Sequence, residues 1–397
     1  MLVRNRVALV AATALTCAGL VGGAPASAVS PKVAETPATV TVVASGLDGP
    51  RQLNATDGSF YVAESDAGQV TRIRKSDGAK YVVVKDVAIA QGVARIDGKI
   101  YVAAGEAEPD GNPGVTGAKI YSAKPSRKAK VFADPLAFEL KYNPDHQDQF
   151  GEDGAALDAI SNPYYLINRK GPGLMLMAGA GGNDVLGVSS KGKLSTFFVP
   201  PPITTGPCAD IPNNSAAGNS CDTVPTGIAY GPDGNIYISG LSGLVPGEAR
   251  VYVVDRNGKL LKTHVGLSNA VGVAVGPDGS VYVADLLQGS PPMEMAAATK
   301  LASSPARAAR ALTKAAQKEP EPFDPATVGQ IVRIAPNGDR TYAQVTLPSG
   351  LLWTDGKLYA STNALAGPGA GQVVSVDQSS FLPASCDKGA KCLGPRT

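Results

Sequence analysis

Oxygen-bearing side chains recur near the ends of alternating segments in this sequence. They are Glu64, Glu106, Asp158, Asn162, Asn183, Asp285 and Asn363. Carboxylate and amide oxygens that converge from several segments are ligands of Ca²⁺ and Mg²⁺. A bound cation, with a spare carboxylate as base, could hydrolyse an ester or a lactone. We therefore predict a ligand-binding site where these segments meet, with Glu64, Asn183, Asp285 and Asn363 as candidate metal ligands.

The same side chains also have a simpler explanation. An acid or amide at a strand end often accepts hydrogen bonds from loop amides or lies in water, and the sequence slightly favours this explanation for each residue taken singly. Ca²⁺ is therefore expected as a cofactor only if three or more of these oxygens converge on one point, at metal–oxygen distances of about 2.3–2.6 Å.

Nucleophilic catalysis has little support in the sequence. The chain has two histidines, His146 and His264, and neither G-x-S-x-G nor H-E-x-x-H occurs. We assign no catalytic residues, and the sequence favours a protein that is not an enzyme.

A repeat supplies the elements that must position these residues. A turn rich in Gly with Asp or Pro, followed by an alternating strand, recurs at residues 57–64, 97–104, 171–181, 232–239, 277–285 and 354–362. Asp-Gly between alternating apolar runs is a strong hairpin signal because glycine accepts positive φ. Four antiparallel strands per unit of about 40–45 residues are typical of a propeller blade.

We predict an all-β fold, a six-bladed β-propeller over residues 38–380. An orphan strand at 39–44 precedes the first unit and the sixth unit ends after its third strand, so the N-terminal strand should complete the last blade. Insertions at about 134–160 and 287–328 carry one or two short helices. Asp134 and Pro135 form an N-cap and N1 pair that predicts a helix over 136–142, and Ser304 predicts the start of a second helix.

The N-terminal residues predict export. Residues 1–28 have the features of a signal peptide: Arg4 and Arg6, an apolar run too short for a membrane span, and a small-x-small cleavage pattern. Residues 29–37 are then a flexible segment, and the mature chain is expected to be secreted, without a transmembrane segment. Its acids and bases balance once the leader is removed, which gives no electrostatic reason to bind nucleic acid.

Four of the five cysteines lie outside the leader, and export permits disulfides. Of the three possible connectivities we favour the local one, because each pair closes a short, turn-rich loop. The predicted pairs are Cys208 with Cys221, and Cys386 with Cys392 in a C-terminal tail of residues 381–397.

The middle of the chain resembles a known family. The segments "LAFELKYNPD" (136–145), "ISNPYYL" (160–166), "AGAGGNDVL" (178–186) and "VPTGIAYGPDGNIYISGLSGLVPGEARVYVVD" (224–255) follow one another in this order. This order is similar to that of the ScyD/ScyE family of exported, NHL-like six-bladed propellers. The resemblance covers about residues 40–380 and implies an exported propeller without an assigned reaction.

Two functional hypotheses follow. The first is a secreted, monomeric ScyD/ScyE-type propeller that acts as a non-catalytic binding or accessory module for an unknown small molecule or extracellular protein. The alternative is a divalent-metal-dependent lactonase, hydrolase or isomerase of the gluconolactonase-like kind, with its site at the channel mouth. Trp353 could stack on a sugar or aromatic ligand, although packing between blades is favoured for a large side chain on a first strand.

Overall fold

The computed structural model describes residues 37–56, 58–105, 118–152, 154, 157, 159–289 and 324–384. These residues form twenty-four β-strands in six antiparallel four-stranded sheets, together with one α-helix. Each sheet is a blade, and the predicted six-bladed propeller is confirmed. Some predictions lie outside the described residues: the leader, Glu106, Asp158, the helix after Ser304, and the pair Cys386 and Cys392.

The blades are numbered 1 to 6 along the chain, and each begins with its innermost strand. Blade 1 contains β2 (Pro50–Thr56), β3 (Ser59–Glu64), β4 (Gln69–Arg74) and β5 (Lys80–Val84). Blade 2 contains β6 (Ala90–Ile96), β7 (Lys99–Ala104), β8 (Lys119–Ala123) and β9 (Lys130–Ala133). Blade 3 contains β10 (Pro163–Asn168), β11 (Met175–Gly179), β12 (Asp184–Val188) and β13 (Leu194–Phe198).

The second half of the ring follows the same plan. Blade 4 contains β14 (Pro225–Tyr230), β15 (Ile236–Gly240), β16 (Ala249–Val254) and β17 (Leu260–Leu267). Blade 5 contains β18 (Ala270–Val275), β19 (Val281–Asp285), β20 (Gln330–Ile334) and β21 (Arg340–Gln344). Blade 6 contains β22 (Leu351–Thr354), β23 (Lys357–Thr362), β24 (Gly371–Val376) and β1 (Val40–Leu47).

The N-terminal strand closes the ring, as predicted. Strand β1 pairs antiparallel with β24, with Val40 opposite Val376 and Leu47 opposite Gly371. The first and last strands of the propeller therefore share one sheet. This pairing hydrogen-bonds β24 on its outer side and ties the two ends of the chain together.

The core lies between the blades. Every residue of the second strands Ser59–Glu64 and Val281–Asp285 is buried, because a neighbouring blade covers each face of the sheet. Aromatic side chains cross from blade to blade: the Phe60 ring of blade 1 packs on the Tyr359 ring of blade 6, with centroids 4.7 Å apart. Sheets covered on both faces explain why the second strands are almost continuously apolar.

Two polar side chains connect the first strands of different blades. The Gln52 amide donates to the carbonyl of Leu166 (2.5 Å) and accepts from the backbone N–H groups of Val93 and Leu166 (both 2.9 Å), so it bridges blades 1, 2 and 3. The Tyr165 hydroxyl of blade 3 donates to the carbonyl of Leu351 in the opposite blade, at 3.4 Å. These contacts tie together the first strands of blades 1, 2, 3 and 6.

The two ends of the strands define two faces of the propeller. At the mouth face the first strands begin and the second strands end, as in the pairing of Pro50 with Glu64. At the turn face, hairpin turns such as residues 276–280 join first strands to second strands. No helix in the described ranges is both long and apolar enough to cross a membrane.

The one described α-helix, α1 (Pro135–Tyr142), connects blade 2 to blade 3. The Asp134 side chain accepts a hydrogen bond from the Ala137 N–H at 3.1 Å, and Asn143 ends the helix in the left-handed conformation. The predicted helix and its N-cap are thus confirmed. Glu139 is buried on this helix, and it becomes important at the mouth face.

Candidate functional site

The propeller brings the ends of all six second strands to the mouth face. Glu64 ends β3 and Asp285 ends β19, while Asn162, Asn183 and Asn363 lie in the neighbouring loops. The five described members of the predicted site therefore share one face of the molecule. Their hydrogen bonds determine whether their oxygens are available to a ligand.

Glu64 is held within its own blade. Its Oε2 accepts from the backbone N–H of Asp48 at 2.7 Å, and its Oε1 accepts from Gln69 Nε2 at 3.0 Å and from the Thr71 hydroxyl. The carboxylate is 1% exposed. Three donors in a buried setting account for both of its oxygens, as expected for a structural acid.

Asp285 repeats this arrangement in blade 5. Its Oδ1 accepts from the backbone N–H of Asn269 at 2.7 Å, and its Oδ2 accepts from Gln330 Nε2 at 3.1 Å. Burial raises the pKa of this carboxyl, while the hydrogen bonds from Gln330 and Asn269 oppose the increase. In both blades an acid joins the second strand to a glutamine of the third strand and to the loop before the first.

The three asparagines adopt left-handed backbone conformations, with φ of 37° at Asn162, 46° at Asn183 and 54° at Asn363. Asn162 Oδ1 accepts from Gln91 Nε2 at 2.7 Å, and Asn363 Nδ2 donates to the carbonyl of Ala370 at 3.2 Å. Asparagine tolerates this conformation better than most residues. These side chains therefore help to shape the loops of the mouth face.

Blade 3 differs from blades 1 and 5 because its acid lies on the third strand. Asp184 is 2% exposed, and its Oδ2 has no hydrogen-bond partner among the described residues. Burial raises the pKa of Asp184 well above its usual value, and the nearby carboxylates of Glu139 and Asp145 raise it further. Asp184, Glu139 and Asp145 thus lie close together at the start of β12, the third strand of blade 3.

This acidic group also connects α1 to the blade. Asp145 Oδ2 accepts from Asn183 Nδ2 at 3.1 Å, and Asn183 Oδ1 accepts from the backbone N–H of Val224 at 3.2 Å. Glu139 Oε1 accepts from Gln149 Nε2 at 3.2 Å. The sequence did not single out Glu139 or Asp184, since an acid on a helix or strand is usually solvated.

The predicted metal ligands hydrogen-bond to different parts of the fold. Glu64 and Asp285 are bonded inside blades 1 and 5, and Asn183 is bonded to the loop before blade 4. In the part of the chain that the structure describes, no group of three or more His, Cys, Asp or Glu side chains could hold a metal ion. Metal binding at this face remains a prediction.

An arginine at the mouth was also missed. Arg51 follows Pro50 at the start of β2 and is 4% exposed. Its Nη1 donates to the carbonyl of Ala364 at 2.7 Å, and its Nη2 lies 3.9 Å from Asp66 Oδ1. The signal was present in the sequence, because a charged residue within a strand buried by its neighbours is unusual.

Apolar side chains from blades 3 to 6 meet beside Arg51. They form one cluster, the mouth cluster, which consists of Val271, Leu286, Val328, Leu347 and Ala364 with the partly exposed Tyr164, Leu241, Leu287 and Leu365. Ala364, whose carbonyl binds Arg51, belongs to this cluster. Polar and apolar groups are therefore adjacent at the mouth.

The backbone at the mouth is strained at several positions. Ile89, Val224 and Leu347 have φ of 53°, 50° and 44°, and each lies in a loop that leads into a first strand. Branched side chains rarely adopt positive φ, and such residues often mark functional sites. The strain is concentrated at the face that also carries the predicted ligand-binding residues.

Comparisons with known proteins support the fold. No protein-family model and no curated protein matches the sequence. A gluconolactonase from Xanthomonas campestris is 12% identical with a TM-score of 0.50, and the match covers 91% of this chain and 99% of that one. The fold is that of the six-bladed propellers.

Two further solved structures are similar over comparable lengths. A streptogramin B lyase is 12% identical, with a TM-score of 0.45 and coverage of 87% of this chain and 95% of its own. A PQQ-bound aldose sugar dehydrogenase from Streptomyces coelicolor is 12% identical, with a TM-score of 0.48 and coverage of 88% and 99%. At such identities the similarity concerns the fold and not the chemistry.

Proposed function

We propose that this protein is an exported binding module that holds a small amphipathic anion at the mouth face. The observation that carries the proposal is the buried Arg51 guanidinium beside the partly exposed leucines of the mouth cluster. The ligand would place an acidic group on Arg51 and an apolar body on the cluster. The predicted site residues would shape the surrounding loops.

Arg51 has unused hydrogen-bonding capacity. A guanidinium has five N–H donors, and within the described residues the only hydrogen bond of this side chain is the one to Ala364. Its ion pair with Asp66 is long, at 3.9 Å. A carboxylate or another anion that reached the remaining N–H groups would form charge-assisted hydrogen bonds, which are stronger than neutral ones.

The mouth cluster provides the apolar side of the proposed site. Leu241, Leu287 and Leu365 come from blades 4, 5 and 6 and remain partly exposed. Small-molecule sites are usually concave and apolar, with a few convergent polar groups that orient the ligand. An apolar surface next to a single buried cation fits that composition better than it fits a hydrolytic site.

The metal-dependent lactonase is the less favoured proposal. Its carboxylates would need oxygens free for a cation, whereas those of Glu64 and Asp285 accept hydrogen bonds from backbone and side-chain donors. Asp184 is the exception, since its Oδ2 is unpartnered among the described residues. Blade 3, around Asp184, would therefore be the first place to look for a bound divalent cation.

Export and the ScyD/ScyE-type assignment belong to the same proposal. The disulfide between Cys208 and Cys221, which the sequence predicted, is present in the structure. Disulfides persist in oxidising compartments outside the cytosol. Together with the leader-like residues 1–28, the disulfide supports a secreted module, which we propose to act as a monomer.

A matched pair of probes tests the proposed site. Decanoate and decanol have the same apolar chain, but only decanoate has a carboxylate for Arg51. Competition against the fluorescent anion 1-anilinonaphthalene-8-sulfonate should show decanoate binding roughly 10–100 times more tightly, the ratio expected for one charge-assisted hydrogen-bonded contact. Equal competition by the two probes would contradict the role of Arg51.

Variants separate the arginine from the fold. Arg51→Gln should reduce decanoate binding to the level of decanol, while Arg74→Gln, which removes an exposed arginine of the same blade, should leave it unchanged. Circular dichroism would verify that both variants are folded. A Ca²⁺-dependent increase in melting temperature that Asp184→Asn abolishes would instead favour the metal-dependent alternative.

A further inference from the structure

A cleft on the turn face, opposite the mouth, contains the single tryptophan of the chain. This Trp353 cleft has a volume of about 320 Å³, lies between blades 5 and 6, and is lined by Pro277, Asp278, Tyr282, Arg333, Trp353 and Gln378. Its size is within the lower range of small-molecule sites. Trp353 packs against the core cluster that contains Tyr282 and Phe381, and the mouth site uses none of the side chains that line the cleft.

Trp353 is exceptional among the residues at its position. The residues paired in the same register on the other first strands are Ala55, Arg95, Asn168, Tyr230 and Val275. Tyr230 is the other aromatic residue, but Lys170 Nζ lies over its ring at 4.6 Å and the Lys170 N–H donates to its hydroxyl. Trp353 remains partly exposed at the cleft.

The indole is held flat against a second ring. Trp353 stacks on Tyr282 with centroids 5.3 Å apart and an interplanar angle of 27°, and Phe381 packs edge-on against the same tyrosine. Tyr282 itself is almost completely buried. The stacked pair therefore gives the cleft a rigid aromatic surface.

Planar polar groups surround this surface. Arg333 Nη2 donates to Asp278 Oδ2 at 3.0 Å, while Arg333 Nε has no partner among the described residues. The Tyr282 hydroxyl donates to Gln378 Oε1 at 2.6 Å. Gln378 is exposed, so its amide N–H₂ is available to a ligand.

Blade 4 shows that this arrangement does not follow from the repeat. It has the same Gly-Pro-Asp-Gly turn as blade 5, and there the Tyr237 hydroxyl donates to Asp233 of its own turn at 3.1 Å. In blade 5 the equivalent Tyr282 hydroxyl bonds to Gln378 of the next blade. Asp278 accepts from Arg333 instead, so blade 5 and blade 6 share one polar rim.

We propose that the Trp353 cleft is a saccharide-binding subsite. A pyranose ring has a face of C–H groups that packs on an aromatic ring, and its hydroxyls both donate and accept hydrogen bonds. Trp353 would receive the apolar face, Asp278 would accept from a hydroxyl, and Arg333 and Gln378 would donate to neighbouring hydroxyls. A neutral sugar suits this rim because Arg333 and Asp278 already neutralise each other.

A second cleft extends the subsite toward blade 4. It has a volume of about 350 Å³ and shares Asp278 with the Trp353 cleft, and Asp233, Lys262 and His264 are among its lining residues. Burial, with Lys262 and Arg340 nearby, lowers the pKa of His264 to about 4, so the imidazole is neutral at pH 7. The two clefts together would accommodate an oligosaccharide longer than one residue.

The single tryptophan makes the test specific to this site. Trp353 fluorescence would be followed during titration with chitotetraose, cellotetraose and maltotetraose, up to about 20 mM, well above a millimolar Kd. At least one of them should shift the emission to shorter wavelength in a saturable manner and reduce quenching by acrylamide. An unchanged emission with all three would overturn the proposal.

Variants that retain the tryptophan identify the contacts. Arg333→Gln, which removes a charged donor, should weaken binding at least about tenfold, and Gln378→Ala, which removes a neutral donor, should weaken it roughly two- to tenfold. Arg74→Gln is the matched control, because Arg74 and Asp77 also form an Arg–Asp pair, which lies in blade 1 and not in blade 5. Unchanged binding in both cleft variants would also overturn the proposal. Neither result bears on the mouth site, because that site lies on the opposite face and is tested with anionic probes.

Discussion

Replacing Asp184 by asparagine should stabilise this protein at neutral pH. Asp184 is 2% exposed, its Oδ2 has no hydrogen-bond partner among the described residues, and the carboxylates of Glu139 and Asp145 are nearby. Asparagine has almost the same shape, carries no charge, and can donate to a neighbouring carboxylate. The substitution therefore removes a buried carboxyl that is costly to ionise, without leaving a cavity.

The effect has a definite sign with pH. Burial raises the folded-state pKa of Asp184 above the unfolded value of 3.8, so between these two values the folded protein binds more protons than the unfolded chain. Stability from this group is complete below the unfolded pKa and decreases as pH rises, by at most about 1.4 kcal/mol per pH unit. The variant lacks this decrease.

Urea unfolding of the wild type and Asp184→Asn at pH 4, 6 and 8 measures the difference. The two free energies of unfolding should be similar at pH 4, and the variant should be more stable at pH 8 by roughly 1–3 kcal/mol, the cost of an unsatisfied buried group. Acids distant from Asp184, such as Asp285, are unchanged between the two proteins and cancel in the comparison.

Glu64→Gln is the contrasting variant. The Glu64 carboxylate accepts hydrogen bonds from Asp48, Gln69 and Thr71, so the amide should destabilise the fold by roughly 1–3 kcal/mol.

A difference between the wild type and Asp184→Asn that stays constant with pH, or an Asp184→Asn variant that is less stable at pH 8, would refute the assignment of Asp184 as a destabilising charge.

Two further variants, a control variant and reduction of the disulfide test the scaffold by urea unfolding. Gln52→Leu leaves three buried backbone groups without partners and should cost roughly 2–5 kcal/mol, whereas Gln372→Leu, a strand residue without such bonds, should change stability by less than about 0.5 kcal/mol. Reduction of Cys208–Cys221, separated by 13 residues, should cost about 3 kcal/mol if the bridge acts on the unfolded chain. Asp134→Ala should cost about 1 kcal/mol through loss of the α1 N-cap. An unchanged midpoint for Gln52→Leu, for the reduced protein or for Asp134→Ala would contradict the corresponding contact.

The fold was predictable because the repeat consists of sequence signals between residues close together in the chain. Asp-Gly turns and alternating strands predict hairpins, and the incomplete sixth unit predicts that β1 (Val40–Leu47) pairs with β24. The helix over Pro135–Tyr142 follows from Asp134 and its proline. The Cys208–Cys221 bridge follows from its short loop. Each of these predictions depends on residues close together in the chain.

The site was only partly predictable because its contacts are distant in sequence. That Glu64 and Asp285 lie at the mouth follows from the strand pattern, but the donors that engage them depend on three-dimensional packing. Arg51 meets a carbonyl 313 residues away. Asp145, in the loop that follows α1, contacts Asn183 of blade 3, 38 residues further along the chain. No local pattern encodes such pairs.

The differences between blades indicate where function can lie. Blades 1 and 5 use the same arrangement, in which Glu64 or Asp285 bonds to a glutamine of the third strand and to a loop N–H. An arrangement used twice around the ring is better explained as scaffold than as a single binding site. Side chains that the repeat does not explain lie elsewhere, at Arg51, at Asp184 and at Trp353. Recognition should therefore depend on these three places, since each lacks a counterpart in the neighbouring blades.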